Sequence, residues 1–197
     1  MNNPDILFDD KILRKGAKIV KEVNKEVAAI IGINPAARTT CVKPSGNASV
    51  LLQTASGIHA EHSKMYIRNV QMTKESEIAQ AILKSNPYMV EDSVWSAGGT
   101  DYVISFPILP KKGSIYKDDL LGVKHLELVK TAQQNWVVAG TNEDLCADKG
   151  LRHNVSNTII VDDWDEVEKY VFDNRNYFAG ISFLGMTGDK DYNQAPN

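Results

Sequence analysis

The sequence predicts an α/β fold with a parallel sheet and outer helices, on three observations. Five short β-rich segments alternate with stretches in which apolar residues recur at three- and four-residue steps. Gly, Pro, Asn and Asp signals fall between them. The 197 residues are 43% apolar, enough for one ordinary core, so a single domain over 1–197 is the expected organisation.

In chain order, Leu13, Ala17, Val20, Val27 and Ile31 define a long amphipathic helix over about 11–31, stopped by Gly32 and Asn34-Pro35. A short strand at Thr39–Val42 runs into a Lys-Pro-Ser-Gly turn and a brief helix near Asn47–Gln53. A strand at Met65–Met72 precedes a helix over Lys74–Ser85, which ends before Asn86-Pro87. Gly98-Gly99 leads to a strand at Asp101–Phe106. Asp118-Asp119 opens a helix whose apolar face carries Leu126, Val129, Ala132 and Trp136 and which ends at Gly140. A strand at Val155–Val161, a helix from Asp163 to Asn174 and a strand at Ala179–Leu184 complete the alternation. Such alternation favours parallel strands joined by right-handed crossovers.

Composition excludes several classes of function. Lys and Arg number 22 against 25 Asp and Glu, a net charge of −3 without a basic block, which argues against gripping nucleic acid through its phosphates. The apolar runs are far shorter than a bilayer span, and MNNPDILFDDK is acidic where a signal peptide is basic, so no membrane partner and a soluble, cytoplasmic protein are expected. Cys41 and Cys146 form neither a disulfide framework nor a zinc set, and each reads as a small buried or half-buried hydrophobe.

The turn after the first strand is the best candidate site. In parallel α/β folds ligands meet the C-terminal ends of strands, where the next helix presents backbone N–H groups. Gly46 lets a ligand approach the backbone, Ser45 and Asn47 bring side-chain donors, and the helix adds partial positive charge, which together suit an oxyanion. Pro-Ser-Gly is equally ordinary loop punctuation, and Ser or Asn before a helix an ordinary cap.

The turn has company along the chain. Lys43-Pro44-Ser45-Gly46, Ser49 with Leu51-Leu52, Ser56-Gly57-Ile58-His59 and Tyr66-Ile67-Arg68 occur in an order and spacing that resemble the phosphate-binding region of adenosylcobalamin-dependent, or class II, ribonucleotide reductases. The resemblance continues through Phe106-Pro107, Gln134-Asn135-Trp136, Asn154-Val155-Ser156 with Thr158, Ser182-Phe183-Leu184 and Tyr192-Asn193-Gln194-Ala195-Pro196, from about Ala36 to Asn197. It implies a parallel five-stranded half, the later one, of the ten-stranded reductase barrel. It also implies that Pro44, Ser45, Gly46, Asn47, Ala48 and Ser49 hold a ribonucleotide's phosphates. The sequence departs from the family at Asn47, where Thr is common, at Asn69 in place of a second Arg, and at Gly185 in place of Pro.

The family's radical chemistry needs three cysteines in the barrel, and this chain has two, neither in the family's Asn-x-Cys-x-Glu setting. The resemblance therefore implies part of a reductase with no catalytic residue of its own, inactive as an isolated chain. Adenosylcobalamin is expected in the complete enzyme and not on this part alone. An uncovered half-barrel favours an oligomer, or a complex with a chain bearing the other half. The alternative is a non-catalytic nucleotide-binding or regulatory module, and the choice between di- and triphosphate stays open.

Other features have plain readings. His59 and His62 have H-x-x-H spacing without placed partners for a metal, and His125 and His153 read as surface or satisfied core groups. Asp162, Asp163, Asp165, Glu166 and Glu168 suit a helix start, and Trp136 suits the core more than a base-stacking platform. Arg68, on an alternating strand, is a candidate anion contact, with a surface ion pair as the equal alternative.

Overall fold

In the computed structural model, residues 3–186 are described, Asn47 by its backbone alone. In chain order the elements are Pro4–Leu7 (α1), Asp10–Ile31 (α2), Asn47–Leu52 (α3), Tyr66–Thr73 (β1), Glu77–Ser85 (α4), Val90–Asp92 (β2), Asp101–Ile108 (β3), Gly122–Ala132 (α5), Ile159–Val161 (β4), Trp164–Asp173 (α6) and Phe183–Gly185 (β5). The chain divides into two compact units. Residues up to Glu61 and those from Lys111 to Met186 make the first, and His62–Pro110 belong to the second.

Local chemistry sets the helix ends. Asp9 caps α2 by accepting the Ile12 N–H at 2.8 Å. Gly32, at φ 73°, stops it: the left-handed turn lets the N–H groups of Gly32 and Ile33 both reach Ala28 O. Asp163 caps α6 by accepting from the N–H groups of Asp165 and Glu166, which accounts for the acidic cluster there.

The first unit carries the main core. Leu126, Val129 and Ala132 repeat every three residues on α5 and are buried against Val155, Ile159 and Val161. Each large side chain fully buried here contributes about 1.5–3 kcal/mol. α5 widens into a π-helical stretch over Gln133–Val138, on which α2 packs. Wider turns weaken the regular carbonyl ladder, and hydroxyls supplement it. Thr40 donates to Trp136 O at 2.6 Å and Thr141 to Val137 O at 2.9 Å. Asn135, also buried, donates to Asp10 Oδ1 and accepts from Arg14 Nε, both at 2.7 Å, so it fastens α2 along the π-turn.

The expected single parallel five-stranded sheet needs correcting. β1, β3 and β2 form an antiparallel sheet in that order, with β1 in register with β3 from Tyr66↔Ile108 to Thr73↔Asp101. Only a short connection containing Gly98-Gly99 separates β2 from β3, and short connections return a chain antiparallel. This sheet with α4 makes the second unit, where Ile104 and Ala79 are fully buried. Among the described residues, parallel pairing is confined to the first unit. β4 and β5 pair in parallel across the α6 crossover, and single parallel bridges join Val42 to Val155 and Glu61 to Tyr116. The α/β class holds, while the expected strands at Thr39–Val42 and Val155–Val161 are extended segments in which only bridges or three residues make ladders. No helix among the described residues is long and apolar enough to cross a membrane.

Gly140 is where the extended segment leading to the candidate turn meets the π-turn. Thr39 bonds Gly140 O through both its N–H and its hydroxyl, and a Cβ on Gly140 would overlap the Thr40 side chain. Gly140→Ala should therefore cost about 1–3 kcal/mol in urea unfolding. Gly180→Ala, whose added carbon would find its nearest neighbour at 3.6 Å, should cost less; equal effects would remove Gly140 as the point of close approach.

Candidate functional site

The segment before the turn is fixed on both sides. Cys41 O accepts from Trp136 Nε1 at 3.0 Å, and Val42 O accepts the Ser156 N–H at 2.9 Å. The chain then leaves the core through Lys43 and Pro44, both exposed, into α3.

A second loop shapes the turn from behind. Ser56 Oγ accepts the Ser45 N–H at 2.9 Å. Gly57, at φ +58°, lies so close that a Cβ there would stand 2.9 Å from Lys43 O. Any other residue at 57 would meet both left-handed strain and this contact. Ser49, buried, turns its hydroxyl onto the carbonyl oxygens of Ser45 and Gly46, at 2.5 and 2.7 Å. Its single proton is shared between them, and the expected ligand donor at Ser49 is thus committed to shaping the turn.

The first bond of α3 runs from Val50 N–H to Gly46 O at 3.4 Å, so the amides of Asn47, Ala48 and Ser49 stand outside the helical ladder. Gly46 and Ala48 are exposed, and nothing lies within 4 Å of the point where a Gly46 side chain would begin. The residues Pro44, Ser45, Gly46, Asn47, Ala48 and Ser49 are therefore brought together on one exposed turn. What they offer an oxyanion is backbone N–H groups at a helix start, with the Ser45 N–H already engaged.

Sequence reasoning missed the supports. His125 on α5 is buried and its Nε2 donates to Ile58 O at 2.8 Å, while its ring meets that of His59 edge-on at 6.1 Å. Asn157, also buried, donates to Val155 O and Gly180 O and accepts the Ser182 N–H, joining the segments that enter β4 and β5. Gln133 donates to His153 O and accepts from Val155 N, as a backbone amide would. The Ser56-Gly57-Ile58-His59 motif was visible, but its partners lie from 11 to 99 residues away in sequence.

The remaining candidates separate. Arg68 lies on β1 in the second unit, where Nη2 donates to the Tyr66 hydroxyl at 2.9 Å and the guanidinium lies over the Tyr66 ring. Cys41 is exposed and not the buried or half-buried hydrophobe expected, because the turn of chain that buries Thr40 faces it outward; Cys146 is half-buried, as expected, with Sγ 3.5 Å from Asn142 O. The motif Tyr192-Asn193-Gln194-Ala195-Pro196 lies outside the described residues.

This fold is similar to that of part of a class II ribonucleotide reductase. It matches the crystal structure of a B12-dependent (class II) ribonucleotide reductase with a TM-score of 0.71 over 91% of this chain and 23% of that one, at 19% identity. The curated relatives are adenosylcobalamin-dependent ribonucleoside-triphosphate reductases. The Dictyostelium discoideum protein named "Probable adenosylcobalamin-dependent ribonucleoside-triphosphate reductase" is 27% identical over 121 residues, 61% of this chain. The Euglena gracilis adenosylcobalamin-dependent ribonucleoside-triphosphate reductase is 24% identical over 124 residues, 63% of this chain. The matched region is 16% and 17% of the length of those relatives. No family model matches.

Burial pushes the His125 imidazole down from 6.5 to about 4, against the Ile58 carbonyl, which favours the charged ring, and with the neighbouring His59, which disfavours it. The unfolded chain takes up this proton first, so the stabilisation is complete above pH 6.5 and is lost as the pH falls toward 4, by about 3 kcal/mol. Urea unfolding from pH 7.5 to 4.5 should show wild type losing this much more than His125→Gln. Parallel pH profiles would contradict the assignment.

Proposed function

We propose that this chain supplies the substrate-phosphate turn of an adenosylcobalamin-dependent ribonucleotide reductase. The amides of Gly46–Ser49 receive the phosphate tail of a ribonucleotide, a triphosphate in keeping with the names of the relatives. The observation that carries this reading is an exposed helix start with open space before it, held rigidly from behind by Ser56 and Gly57. A hydrogen bond to a charged oxygen is worth about 1.5–3 kcal/mol, so a few such amides suffice to anchor a phosphate. Arg68 stays a candidate anion contact on the strength of the resemblance.

The residues present do not fit the radical step that adenosylcobalamin serves in such enzymes. Cys41 and Cys146 are both unpaired, one exposed and one against the Asn142 and Leu151 carbonyls, and they provide neither a thiyl site nor a dithiol pair. No step is assigned to the cofactor on this chain. A partner chain bearing the rest of the barrel would supply the cysteines. Exposed apolar side chains of α2 (Ile12, Ile19, Val23, Ile30) and of α3 (Leu51, Leu52) give such a partner a surface to cover. The missing cysteines also favour a second reading, a nucleotide-binding module without catalysis.

Two experiments test the proposal. Ser45→Ala combined with Gly46→Val should lower affinity for a ribonucleoside triphosphate on the order of tenfold or more by calorimetry, with the circular dichroism spectrum unchanged; unaltered affinity removes the turn from the site. Incubation of the chain with ribonucleoside triphosphate, adenosylcobalamin and dithiothreitol should yield no deoxyribonucleotide, and product above background would refute the assignment of catalysis to another chain.

A further inference from the structure

The supports behind the turn converge on one side chain. His59 Nε2 accepts the Thr158 N–H at 3.1 Å, which leaves the ring proton on Nδ1, and Nδ1 donates to Ser56 O at 2.8 Å. Ser56 Oγ in turn accepts the Ser45 N–H. Thr158 directly precedes the fully buried Ile159 of β4, so the far end of this chain of bonds is anchored in the core.

We propose that His59 is a positioning residue for the Pro44–Ser49 turn. By bridging Ser56 O and the Thr158 N–H it holds the Ser56 hydroxyl under the Ser45 amide, and so sets the direction in which the Asn47, Ala48 and Ser49 amides face. The ligand half of this proposal rests on the phosphate reading above; the geometric half does not. A neutral imidazole suits the task because donor and acceptor sit at separate points of a rigid ring. Lys and Arg cannot accept, an ionised carboxylate cannot donate, and Asn or Gln carries both functions on one carbon. From position 59, Asn extends to the place of Nδ1 and Gln to the place of Nε2, so each replaces one arm of the bridge.

Residue-resolved amide exchange in the full chain tests this. In His59→Ala the Ser45 amide should exchange about tenfold faster, while the Val129 and Val137 amides in the core keep their rates. His59→Asn, which keeps a donor for Ser56 O, should restore the Ser45 rate to within about twofold, and His59→Gln, which keeps only the acceptor for Thr158, should not. The proposal is overturned if the Ser45 rate is unchanged in His59→Ala, if it rises only in step with the core amides, or if Gln and Asn behave alike. Should His59→Ala not fold, the comparison of Gln with Asn carries the test. Calorimetry with CTP separates the two halves. An affinity of His59→Ala about tenfold below wild type is expected, and equal affinities overturn the proposal. Wild type that binds no CTP refutes the phosphate reading, while the exchange rates still decide the role of His59.

Discussion

The Ser45 amide has its hydrogen-bond partner in the hydroxyl of Ser56, and Gly57 then presses against the Lys43 carbonyl. These two contacts fix where a short, exposed helix begins. Without them Gly46, which has nothing beside it, would leave the chain free to choose among many conformations. The candidate turn is thus shaped by a second loop 11 residues away as much as by its own residues.

That second loop is held by polar contacts, of which the one from His125 is buried. His125 fixes Ile58 and Thr158 fixes His59, while Thr40, Asn135 and Gln133 do the same around the π-turn. These buried polar groups are matched to specific partners, and leaving one of them unsatisfied costs about 1–3 kcal/mol. Polar pins of this kind give the first unit one arrangement where apolar packing alone would allow several.

Most of the helices were legible in the sequence. Periodicity and caps placed α2 within a residue at its start, and the Asp163 cap placed α6, because those signals are local. The α5 face was legible too, although its continuation is a π-turn whose wider carbonyl pattern depends on Thr40 and Thr141 hydroxyls. Strand direction was not. Antiparallel pairing of β1 with β3 follows from how the intervening chain returns, and β2, three residues long, is too short for any period to register. In the candidate site, the turn residues could be proposed from their chemistry, whereas the contacts of Ser56, His59 and His125 required knowledge of partners up to 99 residues apart. Ser49 shows the limit from the other side: a hydroxyl that sequence offers to a ligand spends its proton on the backbone.

The amides of Asn47, Ala48 and Ser49 stand outside the helical ladder of α3, and the phosphate reading rests on them. The most direct measurement is an amide-resolved NMR titration with inorganic tripolyphosphate, which carries the phosphates and none of the base or sugar. Saturable shifts of the Gly46, Asn47, Ala48 and Ser49 amides are predicted. Shifts confined to other residues, or none at millimolar ligand, would contradict the assignment of this turn to a phosphate tail.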